Sequence, residues 1–236
     1  LVRKGNGVYA RPLDAPLSWA GVVYTLQTLL DLPLHPGGPT ALDEAGYQHD
    51  LNPGRRSVYL YTDSYARVPG WLGKLEGGPR FVVVRTTFLK APASTVPREI
   101  RSGAGASMRL GWKRLEFESF SLTLSSPERA FLELLQGVPE RFDFERAAHY
   151  AESLGTLRAE KMQELLEACG LLKVRRLALY FGAAYGLAWY AKLDRARLPL
   201  GMGKRALVKD GQWMPDFQIS VPRNLPAAGV RRESHG

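Results

Sequence analysis

Ser125-Ser126-Pro127-Glu128-Arg129-Ala130-Phe131-Leu132-Glu133-Leu134-Leu135 is where the chain changes character. Ser126 can cap a helix, its hydroxyl accepting an N–H that the first turn leaves free. Pro127 stands at the first helical position, where its missing N–H does no harm. Ala130, Phe131, Leu134 and Leu135 follow at the spacing of a buried helical stripe. Helical patterns dominate from here on. Phe144, Ala147, Ala148 and Ala151 outline a second helix, and Met162, Leu165, Leu166 and Cys169 a third. The run from Leu177 to Ala191 is apolar almost throughout, yet shorter than the roughly 20 residues that cross a bilayer. With basic residues on both flanks it reads as a helix from about Lys173 to Leu193, buried on most sides. Gly182 and Gly186, four apart, suggest close helix packing. Arg205 to Lys209, the turn Asp210-Gly211 and Phe217 to Val221 read as a closing β-hairpin.

Upstream the pattern is strand-rich. Val58 to Thr62 and Arg80 to Phe88 carry the Val, Tyr and Thr that suit a pleated surface. Leu115 to Leu124 alternates apolar and polar residues, with a change of phase near Ser119 that a β-bulge would explain. Before these, Trp19, Val22, Val23, Leu26, Leu29 and Leu30 recur helically. Pro33 to Pro39 reads as a loop, and Thr40 as the cap of a short helix with Asp43 as its partner. At the start, Gly5-Asn6-Gly7 joins two short strands in a hairpin that Pro12 ends. The fold class is therefore α+β, with a mixed β-rich middle at 17–126 and a helical region at 127–236 closing with a hairpin.

The 236 residues carry a formal net charge of +9, with 45% hydrophobic and 23% charged residues. These proportions belong to a folded globular chain, not a disordered or fibrous one. The single cysteine, Cys169, excludes an internal disulfide and a cysteine-based zinc cage, and its helical company makes it a core residue. No signal peptide is visible, and a cytoplasmic location is expected.

The catalytic inventory is thin. His35, His49, His149 and His235 show no metal-ligand spacing, and neither a Walker A motif nor a dinucleotide fingerprint is present. Ser102-Gly103-Ala104-Gly105-Ala106 lacks the preceding strand and following Lys-Thr of a phosphate loop. Glu116 and Glu118 would share one face of a strand and could hold a divalent cation, and Pro215-Asp216 begins like a nuclease motif. This makes a metal-dependent nucleic-acid-processing enzyme the alternative function. All three carboxylates read more simply as solvated, and no catalytic residue, cofactor or metal is expected.

Charge is distributed unevenly. Residues 128–170 hold nine acidic and five basic side chains, and residues 171–236 hold four acidic and twelve basic. Segregation of this kind points to an acidic partner, which solubility alone does not require. Lys173, Arg175, Arg176, Lys204, Arg205 and Lys209 are its candidate contacts. A further basic group lies at Arg98, Arg101, Arg109, Lys113 and Arg114.

Taken in order, several blocks resemble the AbiEi family of antitoxins from type IV toxin–antitoxin systems. Leu1-Val2-Arg3-Lys4-Gly5-Asn6-Gly7-Val8-Tyr9-Ala10-Arg11-Pro12 resembles the wing of that family's winged helix. Ser18-Trp19, then Gly38-Pro39-Thr40-Ala41-Leu42 with Gly46-Tyr47 and His49, resembles the next block. Ser126-Pro127-Glu128-Arg129-Ala130 with Glu133-Leu134-Leu135 is the most specific, and Gly203-Lys204-Arg205 leading to Ile219-Ser220-Val221-Pro222 closes the match. The resemblance implies a non-enzymatic repressor of its own operon that also counters a nucleotidyltransferase-like toxin, with no membrane partner. It implies that residues 1–16 are the remnant of a winged helix whose recognition helix precedes Leu1. Arg3, Lys4 and Arg11 would then touch operator phosphates, and binding by residues 1–236 alone would be weak, non-specific and steeply salt-dependent.

Overall fold

The computed structural model describes residues 2–5, 8–10, 18–47, 57–63, 68–75, 78–86, 88–89 and 111–226. Strands β1 (Val2–Gly5) and β2 (Val8–Ala10) pair antiparallel, Arg3 opposite Tyr9, as the sequence predicts. Their side chains, and Arg11, lie outside what is described. So do His49, residues 90–110 with Arg98, Arg101, Arg109 and the Gly103-Ala104-Gly105 loop, and His235.

Helix α1 (Trp19–Tyr24) buries Ala20, Val22 and Val23, then passes into a π-helical turn at Thr25–Leu29. There the Leu30 N–H donates to the Thr25 carbonyl. The wider turn breaks the 3.6-residue phase. Leu26 stays buried, but Leu29 and Leu30, expected in the core, are exposed, and Gln27 is buried in their place. Its amide donates to the carbonyls of Leu34 and Thr123 at 3.0 and 2.7 Å and accepts from the Thr123 N–H at 3.1 Å.

The Pro/Gly segment expected to be a loop contains a buried strand, β3 (Leu34–Pro36). It pairs antiparallel with β4 (Ser57–Thr62), which pairs in parallel with β5 (Arg80–Arg85). Helix α2 (Pro39–Glu44) has Gly38 at its N-cap. Thr40 does not cap it; its hydroxyl accepts the Tyr59 N–H and so ties α2 to β4. Asp43 accepts from the Tyr150 hydroxyl. The segment 115–124 is no bulged strand. It turns at Phe117 to Phe120, joining β6 (Trp112–Glu116) and β7 (Ser121–Ser125) as an antiparallel hairpin. A turn inverts the phase of an alternating pattern as a bulge does, so the pattern alone cannot separate the two.

Ser126 caps α3 (Pro127–Gln136) through the Arg129 N–H. This helix is buried on every side from Glu128 to Leu135. Around it pack α4 (Phe144–Ser153), α5 (Ala159–Ala168) and α6 (Leu172–Ala184). Phe181, Leu187 and Trp189 are buried as expected, but the expected long helix is broken. Gly186 adopts φ +59° and ends α6, and a short α7 (Ala188–Ala191) folds back. The turn brings Trp189 and Tyr190 onto Gly182, where a Cβ would stand 2.8 Å from the indole. Close packing therefore accounts for Gly182, and the positive φ accounts for Gly186.

The closing element is a small sheet, not a simple hairpin. β10 (Ile219–Val221) lies between β9 (Gln212–Met214), antiparallel to it, and β8 (Arg205–Ala206), parallel to it. Asp210-Gly211 does turn the chain, Asp210 at φ +56°. The buried apolar residues form two clusters. One joins α1, β3, β4 and β7; the other fills the helical half and the inner face of the closing sheet.

Candidate functional site

A buried convergence of ionisable and polar groups lies where α3 meets β3 and β7. Glu133 is fully buried. One carboxylate oxygen meets His35 Nε2 at 2.8 Å and Arg129 Nε at 2.9 Å. The other accepts from the Ser125 hydroxyl at 2.8 Å and the Gly38 N–H at 3.1 Å. Gly37 leaves no room for a side chain, because its Cβ would collide with the carboxylate. The Arg129 guanidinium stacks on Trp112, 3.7 Å from the ring centroid.

Burial opposes the Glu133 charge, but the contacts with His35 and Arg129 outweigh it and hold the carboxyl below its usual range. Burial dominates at His35 and lowers its pKa, against the pull of Glu133. Among the described residues His35 Nδ1 has no hydrogen-bond partner. The ring is therefore neutral and donates through Nε2; a proton on Nδ1 would meet no acceptor. The group is Arg129⁺ with Glu133⁻ and a neutral histidine, closed to water. It joins the two apolar clusters and presents no open face to a substrate. His35, read from sequence as a loop residue, is a structural centre. The Arg129–Glu133 spacing of i,i+4 was the signal available for the ion pair.

The candidate cations of the C-terminal region separate into two classes. Arg175 and Arg176 are buried. Arg175 donates to the carbonyls of Leu166, Pro199 and Cys169. Arg176 donates to the carbonyls of Leu200, Met202, Gly203 and Gln218 and to the Gln218 side chain. Both occupy the inward side of α6, where a guanidinium fan satisfies carbonyls that no regular ladder reaches. They are not surface contacts, which corrects the reading from sequence. Lys173 is half-buried, bonded to the Val138 carbonyl at 2.7 Å and to Glu140 at 3.0 Å.

Lys204, Arg205 and Lys209 are exposed, and none lies within ion-pair distance of a carboxylate among the described residues. Beside them are two residues that sequence reasoning passed over: Met202, 97% exposed, and Trp213, 37% exposed. Lys204 Nζ stands 5.6 Å from the Trp213 ring centroid. Glu116 and Glu118 are solvated, Glu116 paired with Arg114, and Asp216 sits in an exposed turn. Among the described residues no three His, Cys, Asp or Glu side chains are grouped to hold a metal. No described helix is long and apolar enough to cross a membrane.

Residues 55–222 match the profile of a family described as transcriptional regulators, AbiEi antitoxins of type IV toxin–antitoxin systems. Residues 1–53 match the profile of the N-terminal domain of AbiEi antitoxin transcriptional regulators. No curated protein sequence matches the chain. A crystal structure of the RV2827C protein from Mycobacterium tuberculosis is similar at a TM-score of 0.47 and 15% identity over 83% of this chain. The similarity spans 64% of that protein's chain.

Proposed function

The chain belongs to the AbiEi family of antitoxins, transcriptional regulators of type IV toxin–antitoxin systems, and from that premise we propose that it represses its own operon and counters a nucleotidyltransferase-like toxin. The observation that carries this reading is the pair of profile matches, which spans both the N-terminal domain and the larger part that follows. It acts without enzymatic chemistry, in the cytoplasm. Residues 1–16 are its wing, with Arg3, Lys4 and Arg11 on operator phosphates. Residues 17–126 form the linking α+β region and 127–236 the antitoxin region. The exposed cations Lys204, Arg205 and Lys209 face an acidic partner, with Lys173 at their margin.

Two measurements in one host test this: growth rescue when the adjoining toxin gene is induced, and repression of a reporter behind the operon's promoter. Both activities are expected from the full gene. Neither rescue nor repression would overturn the proposal, and rescue without repression would remove the autorepressor half of it.

A further inference from the structure

The closing sheet has two faces. Trp213, Ser220 and Ala206 lie in register across β9, β10 and β8. Met214, Ile219 and Arg205 form the next row, on the opposite face. Met214 and Ile219 are buried in the helical core, so the Trp213 row lies on the side away from it; Ala206 and Trp213 are exposed there, while Ser220 between them is buried, its hydroxyl accepting from the Leu207 N–H. Ser220 and Ala206 are small, and Trp213 beside them is 37% exposed. A large aromatic ring on a strand normally packs under a neighbour. Here the described neighbour is a cation, Lys204, within cation–π range. Residues 201–226 carry four basic and two acidic side chains, Asp210 and Asp216.

We propose that Trp213 with Lys204, and the exposed Lys209 of the turn that precedes β9, bind a single-stranded stretch of nucleic acid, one base stacking on the indole and the lysines meeting the flanking phosphates. The inference rests on the part of the functional reading that gives the C-terminal region an acidic partner, and it names that partner's chemistry. Two observations favour a polynucleotide over an acidic protein. A stable protein interface buries roughly 800 Å² on each side around an aromatic or aliphatic centre. The large exposed hydrophobic residues of this region are Met202 and Trp213 alone among the described residues. Secondly, two of the four exposed cations of this segment, Lys204 and Lys209, are lysines, which are depleted from protein interfaces but serve phosphates well as point charges. An exposed ring flanked by such charges is what sequence-tolerant single-strand binding requires, since every base offers a π-face. Duplex DNA keeps its bases stacked on one another and cannot use the indole.

The test is fluorescence polarisation of the whole chain with a labelled single strand of about 12 nucleotides, within the usual site size, and with the duplex of the same sequence. Trp213→Ala should weaken single-strand binding about tenfold or more and leave duplex binding unchanged. Trp213→Phe, which keeps a ring, should retain most of the affinity. Lys204→Gln with Lys209→Gln should lower the slope of log K against log salt by about 1.4, two phosphates at roughly 0.7 each. Circular dichroism checks folding. If Trp213→Ala does not fold, the Phe and lysine variants decide. Unchanged single-strand affinity in Trp213→Ala, or equal losses on single strand and duplex, would overturn the proposal. Competition by a glutamate peptide as effective as that by the oligonucleotide would overturn it in favour of a protein partner. Growth rescue and repression are read separately, so failure here leaves the antitoxin reading to its own test.

Discussion

Arg175-Arg176 and Lys204-Arg205 are adjacent basic pairs in the same cationic third of the chain, and they have opposite fates. The first pair lies on the inner side of α6, its guanidiniums spread among seven backbone carbonyls. The second lies on the closing sheet, exposed. Some of the carbonyls that Arg176 holds belong to Leu200, Met202 and Gly203, the segment that delivers Lys204. The buried cations build the platform and the exposed ones are presented on it. Net charge therefore overstates the surface available to a partner, because part of it is consumed in ordering loops.

The comparison breaks most sharply at a third buried arginine. Arg129 has Glu133 as its carboxylate partner, so Glu133→Ala would leave a buried guanidinium uncompensated. Loss of one member of a buried pair costs about 3–5 kcal/mol. The expected result is a urea midpoint lowered to near or below the folding threshold, and a stability unchanged from the parent chain would refute the structural role given to this group. Next comes Arg176→Lys, which keeps the charge and loses the planar fork. Carbonyls left without a donor cost on the order of 1–3 kcal/mol each when they stay dry. These bonds are only part-buried, so water will reach some of the carbonyls, and a loss of roughly 2 kcal/mol is expected. The matched substitution Arg205→Lys should be silent in the same denaturation series.

Acid gives a smaller, graded effect. His35 and Glu133 both have folded pKa values below their ordinary ones. Each therefore binds fewer protons folded than unfolded, and stability rises with pH. The His35 contribution is full above the ordinary histidine value of 6.5 and is lost as pH falls below it. It contributes at most about 1.4 kcal/mol for each pH unit. Glu133 adds its share below its ordinary value of 4.5. Urea midpoints at pH 7.5 and 5.5 should differ in the parent chain and converge in His35→Gln. An equal pH dependence in the two would show that another group is responsible.

Legibility in the sequence followed the range of the forces. Ser126 with Pro127 and the stripes of α4 and α5 are local signals, and they placed these helices. The α+β class was also readable. What escaped was set by distant partners. Leu34-His35-Pro36 has no strand propensity of its own; β4 and the ion pair beneath it make it a strand. Glycine at 182 and glycine at 186 look alike in an apolar run, yet one receives an indole and the other turns the chain. The candidate contacts divided for the same reason. Arg175 and Arg176 sit in a basic cluster by composition, but the helical phase that buries Leu177 and Val174 carries them inward too. Lys204 and Lys209 were legible as exposed cations, and the exposure of Trp213 was not, because a lone tryptophan in a hairpin pattern reads as core.

The last and smallest effect on stability bears most directly on function. Reversing Lys204 and Arg205 to Glu removes no described hydrogen bond or ion pair of either side chain, so stability should stay within about 0.5 kcal/mol of the parent. Reversing Arg175 and Arg176 instead places two carboxylates against carbonyl oxygens, which repel them, and should unfold the helical region. Loss of toxin rescue in that second variant would therefore report folding and say nothing about a binding face. In the first it would report the face, because the fold is intact. Rescue should fall in the Lys204/Arg205 variant while repression of the reporter persists, since the proposed phosphate contacts Arg3, Lys4 and Arg11 belong to the N-terminal segment and not to the closing sheet. Rescue undiminished, with folding confirmed by circular dichroism, would take the antitoxin surface away from the closing sheet. Repression lost together with rescue would show that the two activities share a surface, and the division between exposed and buried cations would no longer map onto a division of function.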